Sequence, residues 1–353
     1  MKKNYKYALN IFIIIAITAL SALFLWKKGV FAAETFKNLS PAAIAGVSAV
    51  YFAHLCLNSL VNFLTVRSSI SGWNYANAFS ELVYGRLGSE ITPFKSGHFP
   101  FRTLYFEQRG LPFFQAMTAF TQSQIIASAA SVFNYFIIFI ITLSLKKTLP
   151  VGDVNIGLWL ISLVGLSFHI AAAALFLLLA FVKPLQKFFI LTAAKITCRK
   201  KSDEEKNAFI TEQTLKYEIY REQIKLMPKK AARYILPFFL YIADMFLSAS
   251  SVYAAYLFSA GTIFSVNEYF SFYIATLAAT YITNIIPIPG GSGSSEAAFL
   301  LIFSQTLGNS LAGTVLLVWR LGNFYMPIIS ESVFFAVVTV LNNRRSKKAD
   351  KVV

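Results

Sequence analysis

The chain has 353 residues, of which 56% are hydrophobic and 14% charged, and its mean hydropathy is +0.59. A soluble domain is about 25% charged, so this composition excludes a single soluble globular domain. The net charge of +16 therefore favours an anionic membrane surface, and not nucleic acid, as the partner of the basic side chains. Two cysteines and three scattered histidines indicate neither a disulfide framework nor a metal site.

A transmembrane helix needs about 20 largely apolar residues. Seven segments have this character, and the last is interrupted by Pro327: Ala8 to Trp26, Ala42 to Val66, Phe114 to Leu145, Ile156 to Val182, Tyr234 to Phe258, Tyr269 to Ile286 and Leu311 to Leu341. No small-residue cleavage site follows the first segment, so we expect a retained span and not a secretory signal.

The distribution of basic residues predicts the orientation of these spans. With the N-terminus in the cytoplasm, 26 of the 32 Lys and Arg residues lie on the cytoplasmic side and five lie outside. The positive-inside rule therefore predicts a multi-pass protein of the cell membrane with both termini cytoplasmic. Two shorter, Gly-broken apolar stretches, Trp73 to Phe94 and Ser292 to Leu307, then approach the membrane from opposite sides.

These two stretches share the pattern G-x-x-x-S-E, at Gly85 to Glu90 and at Gly291 to Glu296. Broken helices in inverted repeats are typical of transporters, and irregular backbone at membrane depth needs cover from protein or water. The sequence thus predicts an all-α polytopic membrane protein over residues 1–342, with about seven spans and two re-entrant hairpins in an inverted-repeat arrangement. The alternative is that Trp73 to Phe94 is a surface amphipathic segment and Pro287 to Gly293 a plain loop.

Residues outside the spans are predominantly basic. Residues 183–233 carry thirteen basic and six acidic side chains, with apolar residues at helical spacing. They predict a cytoplasmic amphipathic segment along the inner leaflet or under the bundle, or alternatively a solvated helical hairpin without lipid contact. The basic, aromatic stretch Arg102 to Arg109 is predicted to be a loop facing lipid headgroups, and residues 343–353 form a basic tail.

Charged side chains inside spans are costly and are therefore candidates for function. The set comprises Arg86, Glu90, Asp244, Glu296, Arg320 and Glu331. Each could instead be half of a structural salt bridge. Asp244 and Glu331 are candidates for proton or ion coupling. No nucleophile or acid–base pair stands at a recognisable spacing, so we assign no catalytic residue.

The second Gly-rich stretch suggests anion binding. Gly290, Gly291 and Gly293 precede Ser295 and Glu296 at a helix start, where unpaired N–H groups and the helix dipole attract negative charge. Together with Arg86 and Arg320, these residues predict a phosphate-sized anion site. In the alternative interpretation, Glu296 only caps its own helix.

The segment from Asn284 to Glu296, NIIPIPGGSGSSE, resembles the P-x-P-G-G-x-G-x-x-E motif of the lysylphosphatidylglycerol synthase transmembrane family. That family includes the flippase-like domain of the multiple peptide resistance factor. Arg320 to Pro327 is similar to its R-x-x-x-x-(aromatic)-x-P stretch, and Gly85 to Glu90 resembles its earlier G-x-x-G-(small)-E motif. Ser292, Ser294 and Ser295 replace more usual apolar and basic residues.

The resemblance implies a lipid flippase that moves a phosphate-bearing or aminoacylated phospholipid between leaflets. The expected partners are that phospholipid and anionic lipids of the inner leaflet. The resemblance leaves undecided whether the chain forms a homo-oligomer. No nucleotide-binding motif occurs, so no cofactor is expected and energy would come from ion or lipid gradients. Two alternatives remain: lysylphosphatidylglycerol synthesis with a separate catalytic partner, because the soluble lysyltransferase domain is lacking, and an ion or small-solute transporter.

Overall fold

A computed structural model of the chain describes residues 39–349 except 68, 93–94, 147, 152–153, 200–201, 286–290 and 292. The predicted span Ala8 to Trp26 and Gly290 lie outside the described residues. In chain order, the elements are α1 Pro41–Val66, α2 Tyr75–Glu90, α3 His98–Gln108, α4 Phe113–Leu145, β1 Thr148–Val151, β2 Val154–Gly157, α5 Leu158–Phe181, α6 Lys183–Thr197, α7 Asp203–Lys225, a 3₁₀ turn Pro228–Lys230, α8 Ala232–Ala260, α9 Val266–Ile285, α10 Ser294–Leu307, α11 Asn309–Arg320, a π-helical turn Leu321–Tyr325 and α12 Met326–Ala349.

The predicted all-α polytopic fold is confirmed. Within the described part of the chain, five helical stretches are long and apolar enough to cross a membrane: Pro41–Val66, Phe113–Leu145, Leu158–Phe181, Ala232–Ala260 and Asn309–Asn342. Helix α9 coincides with the predicted sixth span but is not among them, so seven spans stays a prediction. One detail was wrong: Ile156, the predicted start of the fourth span, pairs with Leu149 in an antiparallel β-hairpin that links α4 to α5.

The bundle contains two units in which the helices follow one another in the same order. In each unit a long helix is followed by a helical hairpin and a second long helix: α1, α2–α3 and α4 in the first, and α8, α9–α10 and α11–α12 in the second. The opening helices α1 and α8 pack along each other in opposite directions, because Gly46 faces Phe258 near one end while His54 contacts Asp244 further along. This antiparallel pairing is the arrangement expected of inverted repeats.

The basic segment 183–233 forms two helices, α6 and α7, and not one continuous amphipathic helix. Capping by Ser202 and Glu205 starts α7, since each side chain bonds the other residue's backbone N–H. The apolar face of α7 buries Tyr220 and Ile224 against Ile126 of α4 and Ala180 of α5. The segment is therefore a helical hairpin that packs on the bundle, and its contact with lipid stays a prediction.

The predicted interruption at Pro327 is present as the π-helical turn. Proline has no backbone N–H, and its ring clashes with the carbonyl four residues earlier, here that of Asn323. The chain accommodates this by widening one turn immediately after Arg320. Gly322 lies in the widened turn, where its backbone approaches Val47 and Ile44 of α1. The turn thereby sets the direction of the helix that carries Arg320.

Candidate functional site

A polar cavity of about 490 Å³ lies where the two helical hairpins meet α1, α4, α8 and the π-helical turn. This volume falls within the roughly 300–1,000 Å³ typical of small-molecule sites. Six residues singled out from the sequence line its wall: Arg86, Glu90, Asp244, Gly291, Ser295 and Arg320. The fold thus gathers residues that lie more than 200 positions apart in the chain. Glu296 and Glu331 are buried beside the cavity, each paired with one of its arginines.

Arg320 forms a buried ion pair with Glu296. Nε of Arg320 lies 2.8 Å from Oε1 of Glu296, and the two side chains are 6% and 1% exposed. The guanidinium also lies 4.0 Å from the centre of the Phe324 ring. Burying one charge alone would be expensive, so the carboxylate offsets the cost of placing Arg320 inside the bundle. Arg320 and Glu296 therefore form a structural salt bridge, which was the alternative interpretation of both residues from the sequence.

Glu296 also caps the helix that it begins. Its Oε2 accepts hydrogen bonds from the Gly293 backbone N–H, at 2.6 Å, and from the Ser295 hydroxyl, at 3.1 Å. Oε2 of Glu296 therefore caps the helix, while Oε1 pairs with Arg320. A side chain of the protein itself thus supplies negative charge at the helix start, which is where the sequence suggested a bound anion.

Glycine geometry shapes the loop before α10. Gly291 has φ = 62° and Gly293 has φ = 84°, conformations that L side chains rarely adopt. A Cβ on Gly291 would also stand 2.5 Å from Cγ2 of Thr283 on α9. The hydroxyls of Ser294 and Ser295 donate to the Gly291 carbonyl, at 3.0 and 2.8 Å. Position 291 therefore favours glycine for its backbone geometry, and Gly290 lies outside the described residues.

Arg86 is the arginine that the cavity exposes most. Its side chain is 25% exposed, against 6% for Arg320 and 3% for Arg102. Its Nε–H donates to the Tyr51 hydroxyl at 2.9 Å and lies 3.4 Å from Oε1 of Glu331. The Tyr51 hydroxyl in turn donates to Glu331. A polar group entering the cavity would therefore reach Arg86 more readily than Arg320.

A family model for the lysylphosphatidylglycerol synthase TM region matches residues 8–330. The chain belongs to this family. No curated protein matches the chain. The matched residues include both hairpins and every cavity arginine, and Glu331 lies one position beyond them. The family is one of membrane proteins, in agreement with the apolar helices of the bundle.

In this family member, two further polar residues, His54 and Asn58 of α1, join Asp244 at the site. Asp244 Oδ1 lies 2.7 Å from Nδ1 of His54, and its Oδ2 accepts a hydrogen bond of 2.6 Å from Asn58. Nε2 of His54 lies 3.1 Å from Nη1 of Arg86. Because arginine only donates, Nε2 accepts, and the Nδ1–H of a neutral imidazole donates to Asp244.

Tyr51, His54 and Asn58 are not among the site residues predicted from the sequence. A signal was present, since Tyr51, His54 and Asn58 are spaced three and four residues apart and therefore share one face of α1. That face meets Arg86 and Asp244. A polar stripe along an otherwise apolar helix would have pointed to the cavity.

The expectation of a loop from Arg102 to Arg109 was wrong. Residues His98–Gln108 form α3, and Arg102 is buried, with its Nε 2.5 Å from Oε1 of Glu81. A Cβ on Gly85 would stand 2.6 Å from Cγ of Arg102, so the glycine lets the arginine stem cross α2. The sequence alone gave no sign of this pair, because it depends on how α2 and α3 pack as a hairpin.

The two G-x-x-x-S-E stretches are not structurally equivalent. Gly85 to Glu90 forms the C-terminal turns of α2, whereas Gly291 precedes α10 and Glu296 lies in its first turn. Ser89 donates back to the Gly85 carbonyl at 2.9 Å within its own helix. The repeat of the fold therefore lies in the order of helices and hairpins and not in this shared pattern.

The cavity is nearly balanced in charge. In the described part of the chain, its wall carries four cationic side chains: Arg86, Lys95, Arg102 and Arg320. Five carboxylates lie on the wall or pair with those cations: Glu81, Glu90, Asp244, Glu296 and Glu331. A balanced wall can contact positive and negative groups of one ligand, since arginine favours phosphate and carboxylate favours ammonium.

Proposed function

We propose that this protein moves a phospholipid between the leaflets of the cell membrane, with the headgroup passing through the polar cavity while the acyl chains stay in lipid. The observation that carries the proposal is a single cavity lined by both hairpins and by an accessible arginine, Arg86, inside a bundle with an apolar exterior. A charged headgroup needs such a path, because a bare charge in hydrocarbon is costly.

Each cavity residue has a proposed role. Arg86 binds the lipid phosphate, since its guanidinium is reachable and offers paired N–H donors. Glu90 and Asp244 stand where they can contact a cationic group of the same headgroup. This pairing suits an aminoacylated phospholipid, which carries a phosphate and an ammonium, as well as a simple anionic lipid.

The remaining predicted residues shape the site. The Arg320–Glu296 pair joins α11 to the start of α10, and Gly291 and Gly293 allow the hairpin loop to lie against the cavity. Ser295 lines the wall, and Glu331 holds Arg86 in place through Tyr51. Both chain termini are proposed to be cytoplasmic, in accordance with the distribution of Lys and Arg.

One alternative function has a specific observation behind it. Asp244 and His54 form a hydrogen-bonded carboxylate–imidazole pair on the cavity wall, and either group can take up and release a transported or coupled proton. An ion transporter would carry charge in vesicles without added fluorescent lipid. Lipid movement without such a current supports the flippase proposal.

The test compares Arg86 variants in a leaflet-resolved lipid assay. Arg86→Lys keeps the charge but loses the planar two-donor geometry, so we expect translocation of a phosphate-bearing lipid to fall at least tenfold at unchanged expression. Arg67→Gln is the matched control, because Arg67 is an exposed arginine at the end of α1 that does not line the cavity. Equal rates in wild type and Arg86→Lys would overturn the role of Arg86.

A further inference from the structure

A second cavity lies on the outside of the bundle, away from the polar one. It is an apolar groove of about 610 Å³ between α4, α5, α8 and the end of α7. Ile126 is buried at its base, whereas Leu177 and Phe239 are exposed on its rim. Lys225 is the charged residue of its wall. The groove shares no lining residue with the polar cavity.

The walls of the groove are helices with membrane-span character. Helices α4, α5 and α8 are each long and apolar enough to cross a membrane, and the end of α7 closes the fourth side. Ile126 of α4 is buried there against Ala180 of α5 and Ile224 of α7. The lining is almost wholly apolar, so the groove suits an acyl chain and not a polar ligand.

Basic side chains surround the mouth of the groove. Lys229, Lys230 and Arg233 are exposed and follow directly on the wall residues Met227 and Pro228. Lys225 is partly balanced by Glu222, whose carboxylate lies 2.7 Å from its Nζ. This arrangement places exposed cations next to an apolar groove, which is complementary to a lipid with a negative headgroup.

We infer that this groove is a second lipid site, which holds an acyl chain of an anionic phospholipid while Lys229, Lys230 and Arg233 bind its phosphate. The site is separate from translocation and does not depend on the function proposed for the polar cavity. A zwitterionic lipid fits the apolar channel equally well but gains less from the cations. The site therefore selects the headgroup by charge and accepts the chain by apolar contact.

The test uses phospholipids with a photoactivatable acyl chain and the full-length protein. Purified protein is reconstituted in vesicles of equal parts phosphatidylcholine and phosphatidylglycerol, with a trace of probe bearing one headgroup or the other. Crosslinked peptides are then mapped by mass spectrometry. We expect the phosphatidylglycerol probe to label the groove, at residues 224–239, about tenfold more than the phosphatidylcholine probe.

Two variants separate headgroup recognition from simple apolar contact. The K229Q/K230Q/R233Q variant should lose the tenfold preference while retaining equal labelling by both probes. Ala231→Trp fills the groove and should abolish labelling by both, with an unchanged melting temperature showing that the protein folds.

The matched control, K187Q/K195Q/R199Q, removes the same charge from α6 and its end and should keep the preference. Equal labelling by both probes in the wild type would overturn the proposal. So would a preference that survives the Lys229, Lys230 and Arg233 changes, or one that falls equally in the control. These outcomes are independent of any translocation rate.

Discussion

The buried pair between Arg320 and Glu296 makes a quantitative prediction. Glu296→Gln keeps an amide oxygen that can still accept from the Gly293 N–H, so the helix cap survives, but it removes the charge that balances Arg320. Breaking one side of a buried ion pair costs about 3–5 kcal/mol. At roughly 0.7 kcal/mol per degree for a chain of this size, we expect the melting temperature to fall by at least about 4 °C.

An exposed pair with the same chemistry provides the control. Glu212 and Lys216 pair on the surface of α7, with side chains 57% and 39% exposed. Solvent screening reduces such a pair to less than about 1 kcal/mol, so Glu212→Gln should shift the melting temperature by about 1 °C or less. Both variants are measured in the same lipid nanodiscs by the temperature dependence of intrinsic fluorescence.

The double variant Arg320→Gln, Glu296→Gln completes the test. It removes both charges, so no uncompensated charge stays buried, and at least half of the stability lost in Glu296→Gln should return. A single variant as stable as the wild type would refute the reasoning, as would a double variant no more stable than the single one. Wild-type lipid movement in the double variant would in addition show that Arg320 does not bind the substrate.

Three further predictions concern Gly291 in the loop before α10, the candidate coupling residue Asp244 and the topology. Gly291→Ala should lower the melting temperature more than Gly261→Ala, because both residues have positive φ but only at 291 does the new Cβ meet Thr283; equal effects in the two variants would contradict this. Asp244→Asn should abolish any acceleration of lipid movement by an imposed pH gradient, and a response equal to that of the wild type would exclude coupling through this carboxylate. A reporter fused after Val353 should be active only in the cytoplasm, and activity only outside would reverse the predicted orientation.

Hydropathy predicted the long helices because each must present an apolar surface over about 20 residues, whatever its neighbours. The order of spans and broken stretches likewise predicted the two-unit arrangement that α1 and α8 display. Arg320 and Glu296 were identified because a charge between apolar residues needs a partner. Glu331, which lies eleven residues after Arg320, pairs with Arg86 instead.

The site residues that were not predicted from the sequence depend on contacts between distant segments. Nothing local marks Glu81 as the partner of Arg102, because the pair forms only when α2 and α3 fold back on each other. The similarity between residues 85–90 and 291–296 was misleading, since three shared residues in a stretch of six do not determine whether the stretch ends a helix or begins one. His54 was not predicted as a site residue because its contacts are with Arg86 and Asp244, which belong to other helices.

Passage of phospholipid headgroups through the polar cavity is tested most directly in reconstituted vesicles. Fluorescent lipids with neutral, anionic or aminoacylated headgroups are followed by reduction of the outer-leaflet label in the presence of the wild-type protein. We expect more than half of an anionic or aminoacylated lipid to become accessible to the reductant, while protein-free vesicles keep the inner label protected. Protection equal to that of protein-free vesicles for every headgroup would contradict it.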